Sequence, residues 1–509
     1  MTEYLRKGEL LPIKGYDTSV PSIFMKDGYA FPSDMHYEEG EMRRRDGKSR
    51  LGYPSIGNAK VLHLDTFKLT SLVTRLMMHT RTNVHKYNTS SEAFEDVTGA
   101  DLTGEDTDFF DSTTVTEQDL YIYTQFIDNV RKCDDVGVSR DLGGNPQKAK
   151  FCEYVTPYLL LANLSENGLH IPTKLKWSDT GNPEVWDDGN AGSILLTADP
   201  SPIRRVKKLG NNFFTYKAGM VYRGSLVSTS DVFLFQILST GQGLFAPRAI
   251  TEANEGHFYM GNSDFHFNDG VRIQDIGGPI RERVFGRLNT AAFQACWTMH
   301  VAEFKEVWFF IATSTSTLPN EIWKYKYDLG FWYRDTAHNL MTGTNYNVTK
   351  TVAWKDLIGT WLEQTWRWGD RSGQAAAPVQ VFGDDRGLVL QRDPRIKTDY
   401  EYDVVGVLES RDYSGLGKDP GIEFDQEWLQ LDFWASGNTV DVYYSIDFGD
   451  TWKLIETKTL TNSMKKYTSW FHVISPQIRF KFVNGDENGF FKIRSFVSYY
   501  LDQAEVPGP

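Results

Sequence analysis

Ser445, Asp447, Gly449 and Trp452 stand in the stretch "YYSIDFGDTW" with the spacing Ser-x-Asp-x-Gly-x-x-Trp. A carboxylate placed this way can do two kinds of work. It can take part in acid–base chemistry on a glycosidic bond, which requires a second carboxylate across a cleft roughly 5–9.5 Å away. Or it can accept hydrogen bonds from its own turn, while Gly449 takes a positive φ and Trp452 packs beneath the hairpin. Among the 67 acidic residues of the chain, nothing in the sequence singles out the second carboxylate. The turn reading is therefore preferred, with glycan binding as its alternative, and no catalytic residue is assigned. The stretch "WSDTGNPEVW" presents Trp177, Ser178, Asp179 and Gly181 in a similar arrangement.

The spacing at 445–452 resembles the Asp-box that sialidases and other β-propeller glycosidases carry in their blade hairpins, which raises the question of what elements surround it. Aromatic residues make up 14% of the chain and there are 43 glycines, a balance suited to many short strands joined by tight turns. Turn signals recur between apolar runs at Asn88 to Ser91, Glu166-Asn167-Gly168, Gly210-Asn211-Asn212, Glu255-Gly256, Asn262-Ser263, Asn268-Asp269-Gly270, Asp328-Leu329-Gly330 and Asp384 to Gly387. Their spacing is close to one propeller blade of four strands, and six or seven such units fit between about residues 55 and 400. The expected fold is all-β: an N-terminal arm and first strand over 1–54, a β-propeller over 55–409 and an antiparallel β-sandwich over 410–509. The single Asp-box falls in the sandwich, outside the blade series.

Composition narrows the function classes. The net charge of −13 argues against a protein that grips nucleic acid by neutralising phosphates. Cys133, Cys152 and Cys296 are odd in number and widely spaced, which suits neither a disulfide framework nor a zinc site. No run approaches the ~18 apolar residues of a membrane span, and the N-terminal stretch lacks a signal-peptide pattern. A soluble, unprocessed chain folding in a reducing cytoplasm is expected, with no metal and no cofactor.

The order of several motifs resembles the tail hub or nozzle proteins of short-tailed bacteriophages, including the packaged-DNA stabilisation proteins. The carriers are "EGEMRRRDGKSRLGY", "WSDTGNPEVW", "PIRRVKKLGNNFFTYKAGMVYRG", "GLFAPRAITEANEGHFYMGNSDFHFNDG" and "VDVYYSIDFGDTW". The resemblance spans most of the chain from about residue 35. It implies a non-enzymatic structural protein of the virion tail, synthesised in the host cytoplasm. The family's subunits form a homohexameric ring below the portal and the adaptor, or head–tail connector, beside other tail or fibre proteins. Double-stranded DNA is retained there and later ejected through the channel without sequence-specific binding. The alternative is a glycan-active or glycan-binding propeller with an accessory sandwich.

Three features remain. Residues 95–119 hold nine acids and no Lys or Arg; a solvated loop is the default, and a channel-facing segment built on Asp101, Glu105, Asp106, Asp108 and Asp111, or a Ca²⁺ site, is the functional reading. Arg43, Arg44 and Arg45 are candidates for a subunit or DNA contact, or for an exposed edge strand protected by charge. Trp361, Trp366 and Trp368 read as packing aromatics or a sugar platform.

Overall fold

Apolar residues alternate with polar ones along runs of four to nine residues, and the computed structural model resolves these runs into seven four-stranded antiparallel blades, five of them separate sheets and two continued into larger ones. It describes residues 5–10, 15–19, 30–52, 59–144, 148–227, 232–347, 378–414, 426–486 and 489–502. Blade 1 runs from His63–Lys68 to Ala93–Asp96, blade 2 from Asp111–Val115 to Arg140–Asp141, and blade 3 from Lys148–Val155 to Gly192–Leu195. Blade 4 runs from Ile203–Leu209 to Phe233–Thr240, blade 5 from Ile250–Ala253 to Ile273–Asp275, and blade 6 from Trp297–Val301 to Phe331–Thr336. Blade 7 supplies three strands, Leu340–Tyr346, Val379–Asp384 and Val389–Asp393, and takes its fourth from the start of the chain, Gly47–Arg50.

The seven blades pack through seven separate apolar clusters, one for each neighbouring pair. Phe265, Phe309 and Trp332 join blades 5 and 6, for example, and Leu64, Tyr346 and Val381 join blades 7 and 1. Each fully buried Leu or Phe in such a cluster contributes about 1.5–3 kcal/mol of transfer free energy. The last of these clusters closes the ring. Turn chemistry sets each hairpin's register. Asn167 and Gly168 both take positive φ (51° and 79°), the two-residue loop that matches strand twist. At the expected Glu255-Gly256 turn the positive φ values fall on Asn254 and Glu255 instead. Gly256 is strand, and a Cβ there would lie 2.4 Å from the Phe267 ring.

The sandwich packs Gln426–Gly437, Lys465–Ser475 and Phe491–Asp502 against a second layer of Gly406–Ser410, Thr439–Ser445, Lys453–Thr459 and Gln477–Asn484. Trp428, Phe433, Phe480 and Phe496 lie in its core. The second layer does not stop at the domain edge. Ala30–Ser33 pairs antiparallel with Gly406–Ser410 and in parallel with blade 6 at Ser33–Arg334, so blade 6 and the sandwich share one ten-stranded sheet.

The N-terminal region, expected as an arm over 1–54, is threaded through both lobes. Ala30–Ser33 bridges them, Met35–Glu38 and Glu41–Arg44 join the other sandwich sheet, and Gly47–Arg50 closes blade 7. We call residues 30–50 the strap.

Candidate functional site

The strap carries the three arginines of "RRRD". The structure corrects their expected exposure: Arg44 is 1% and Arg45 6% exposed. Arg44 is spent on main-chain and amide oxygens, donating to Val404 O at 2.5 Å, Asn484 Oδ1 at 2.9 Å and Gly489 O at 2.9 Å. Arg45 meets Asp34 at 2.7 Å and grips both oxygens of Asp399 at 2.9 and 2.7 Å. Lys48 reaches the same carboxylate at 2.8 Å. Burial pushes the Asp399 carboxyl up, but Arg45 and Lys48 outweigh it and leave its pKa well below the usual range. Burial also pulls the Lys48 ammonium down to about 8. Beside them, Asp46 takes Arg392 at 3.0 Å and Lys397 at 2.7 Å. Arg43, the most exposed of the three, pairs with Glu38 at 3.0 Å.

Deeper in the same junction, Glu306 accepts from Trp308 Nε1 at 2.8 Å and from the Tyr333 hydroxyl, and His36 stands 3.6 Å from it. Burial pushes the Glu306 carboxyl up and the His36 imidazole well down. These charges pin the strap to blades 6 and 7 around a cavity of about 30 Å³, room for about one water.

At the propeller axis the innermost strands bring together a second set of charges. Arg205 of blade 4 crosses to Asp111 of blade 2 at 2.5 Å, and Asp111 also accepts from Ser112 N and Cys152 N. Asp111 is 1% exposed, and burial pushes its carboxyl up despite Arg205. This removes Asp111 from the candidate channel-facing set: it is an internal ion pair. Arg248 lies over the Phe109 ring at 3.6 Å and donates to Met341 O at 2.8 Å and Gln294 O at 3.1 Å, tying blade 5 to blade 7 across the axis. Burial pulls its pKa down to about 9. The cavity left among Asp108, Asp111, Arg205 and Arg248 is again about 30 Å³, far below the roughly 300 Å³ or more of clefts that take drug-sized ligands. Sequence reading passed over Arg205 and Arg248, although both stand in quoted motifs, "PIRRVKK" and "APR".

The rest of the candidate set, Asp101, Glu105, Asp106 and Asp108, lies in the connection from blade 1 to blade 2. Asp101 and Glu105 are exposed. Asp106 pairs with Lys60 at 3.3 Å, and Asp108 accepts from Glu105 N at 2.8 Å. Among the described residues no three metal-ligating side chains converge. The three cysteines are buried and unpaired with one another. No helix among the described residues is long and apolar enough to cross a membrane. Trp361, Trp366 and Trp368 lie outside the described residues.

At the Asp-box, Asp447 accepts from Ser445 Oγ at 2.6 Å, Thr451 N at 2.9 Å and the Thr451 hydroxyl, and Ser445 Oγ accepts from Gly449 N at 2.9 Å. Gly449 has φ +94°, and Trp452 is covered by Lys481 at 4.1 Å. The carboxylate is occupied by its own turn, whose hydrogen bonds draw its pKa down to about 2. The turn's contribution is therefore complete above the unfolded value of about 3.9 and fades as pH falls toward 2. Asp447→Ala should speed amide exchange at Gly449 and Thr451 at pH 7 while leaving exchange in the blades unchanged; wild-type exchange rates at both amides would refute the capping role. The second motif is built differently, across a longer loop: Asp179 accepts from Asn190 N at 2.8 Å, and Trp177 donates to Asn190 O at 3.0 Å while its ring meets Phe233 of blade 4 at 5.3 Å.

No protein-family model matches the chain. No curated protein matches it either. Among solved structures, the WD40 β-propeller domain of Doa1 is similar with a TM-score of 0.41 and 9% identity, covering 70% of this chain and 99% of that one. The WD40 domain of Neurospora crassa Pan2 gives 0.40 and 10%, covering 72% and 100%. PorZ, a surface component of the type-IX secretion system of Porphyromonas gingivalis, gives 0.36 and 10%, covering 80% and 46%. These are likenesses of fold alone. The chain is a seven-bladed β-propeller that shares a sheet with a β-sandwich.

Proposed function

We propose that the chain is a non-catalytic structural subunit of a short-tailed bacteriophage virion, a nozzle protomer. Six copies ring a channel below the portal and adaptor that retains packaged DNA and conducts it at ejection. The ordered motifs from "EGEMRRRDGKSRLGY" to "VDVYYSIDFGDTW" support this reading at the level of sequence. The observation that carries it in the structure is the shared ten-stranded sheet, pinned by the buried charges of the strap, which makes propeller and sandwich one stiff bracket. A ring wall under load from pressurised DNA needs such a body. The propeller axis is filled by Asp111, Arg205 and Arg248, so the channel of this proposal runs between subunits. Six copies bring six times −13, or −78, formal charges, a balance that lets phosphates slide past. The glycan reading lacks comparable support, because the Asp447 carboxylate is committed to its turn.

Averaged images of the particle should show sixfold density at this protein's level. Asp101→Lys with Glu105→Lys, both at exposed positions, should slow genome exit and make it more salt-dependent as the new cations bind phosphate. An isolated chain absent from any virion would refute the proposal. Unchanged ejection in the double variant would place the acidic loop away from the DNA path.

A further inference from the structure

Lys150, Arg205 and Arg248 line one cavity together with Asp108 and Asp111, three cations against two carboxylates. Asp111 stands in the first strand of blade 2, Lys150 in that of blade 3 and Arg205 in that of blade 4; Arg248 lies just ahead of the first strand of blade 5. The charges do not cancel in pairs. Arg205 takes Asp111, and Asp108 is held by Glu105 N. Among the described residues Lys150 and Arg248 take part in no ion pair. The carbonyls of Gln294, Ala295 and Met341 and the Phe109 ring orient the Arg248 guanidinium, but none of them brings a counter-charge. The neighbouring basic group that bears on it is Arg205, of the same sign. A buried cation is costly unless an anion accompanies it.

Two buried polar atoms of the same lining have no partner in the chain: Arg205 Nε, a donor, and Gln125 Oε1, an acceptor. A Cβ at Gly104 would lie 3.4 Å from Gln125 Oε1 and 3.4 Å from Asp108 Oδ2. The orphaned acceptor therefore belongs to the acidic side of the cavity, beside the connection from blade 1 to blade 2. The orphaned donor belongs to the arginine side. At about 30 Å³ the cavity admits one water or one ion of that size. A water can serve either orphan, but on the arginine side only an anion both accepts from Arg205 Nε and supplies the missing negative charge.

We propose that the arginine side of this cavity binds one small inorganic anion, a halide, which accepts from Arg205 Nε and lies in the positive field of Arg248 and Lys150. Bound there, the anion links the first strands of blades 3 and 4 to the entry of blade 5. Because it binds the folded ring and not the unfolded chain, its occupancy stabilises the fold. The inference rests on this cavity and not on the tail assignment.

The probe is chloride, with bromide as its heavy substitute. Unfolding in sodium chloride is compared with unfolding in sodium gluconate at equal ionic strength, gluconate being too large for the cavity. Above the dissociation constant, each tenfold rise in chloride should shift the unfolding equilibrium about tenfold toward the folded state, and bromide should do the same. Crystals grown in bromide should show an anomalous peak between Arg205 Nε and the Arg248 guanidinium. Arg248→Met and Lys150→Met should each weaken the apparent chloride affinity roughly tenfold or more. Lys150 is half-buried and makes no ion pair, so its variant decides the matter where Arg248→Met fails to fold. Equal stability in chloride and gluconate, a cavity that holds water and gives no anomalous signal, or a chloride dependence unchanged in Lys150→Met would each overturn the proposal. A bromide peak with no effect on stability would mark an adventitious ion only and would overturn it as well. Sixfold density in particles alongside any of these failures leaves the nozzle reading standing.

Discussion

Asp399→Ala should destabilise the protein by about 3–5 kcal/mol, the cost of removing one partner from a buried ion pair. The carboxylate is 4% exposed and holds both Arg45 and Lys48, so its loss leaves two cations in the junction between blades 6 and 7. Arg45 retains Asp34 at 2.7 Å, but Lys48 loses its nearest anion. The folded-state pKa of Asp399 lies below its unfolded value, so its stabilisation is present above about pH 3.9 and is lost as pH falls through the folded value. Urea denaturation at pH 4.5 should therefore show the difference between wild type and variant in full, and the difference should shrink below pH 4. Asp188→Ala, at an exposed loop position, is the control, expected to change stability by less than about 0.5 kcal/mol. A loss below about 1 kcal/mol for Asp399→Ala would mean that the cations escape to water and that the strap is held by its strands alone.

Removing residues 1–50 should abolish folding of the propeller. The deletion takes the fourth strand of blade 7, the bridge between blade 6 and the sandwich, and the buried Met35 and Met42. Each buried side chain alone contributes about 1.5–3 kcal/mol against a total stability of about 5–15 kcal/mol. The deletion also leaves Asp46's partners Arg392 and Lys397, and the anions around Arg45, without their counter-charges. A milder form of the same experiment is Gly47→Val, where a Cβ would lie 2.2 Å from Thr398 O and 2.6 Å from Thr398 N. Backbone cannot yield there as a flexible side chain would, so a loss of at least ~1–3 kcal/mol is expected. Limited proteolysis should then cut in the strap first. A truncated chain that melts cooperatively near the wild-type temperature would refute the closing role of residues 47–50.

Local chemistry made most of the fold legible. Asn167-Gly168 announces its hairpin because two consecutive positive φ values are cheap only for such residues, and the repeat of these signals gives the blades. At residues 254–256 the sequence points one residue late: the glycine is there for the close approach of Phe267, and Asn254 and Glu255 make the turn. The arginines were misread for a different reason. Three consecutive charges ordinarily mean surface, and the partner that buries Arg45 stands 354 residues away in sequence. Asp111 belongs to the same class, its cation arriving from two blades further along the ring. What pattern cannot reveal is which distant carboxylate or arginine the fold delivers, and both charged junctions depend on that.

Borrowing the last blade's outer strand from the beginning of the chain has a consequence for biosynthesis. Residues 47–50 leave the ribosome early, and their partners at 390–393 follow only after some 340 further residues. At a synthesis rate of about 5–20 residues per second that interval is roughly 20–70 s. During it, blades 1 to 6 can form hairpins in turn, but the first strand and the open side of blade 1 have no native neighbour. The ring locks only after residue 393 has been made, so a polypeptide terminated before that point never acquires a closed propeller and stays a substrate for proteolysis.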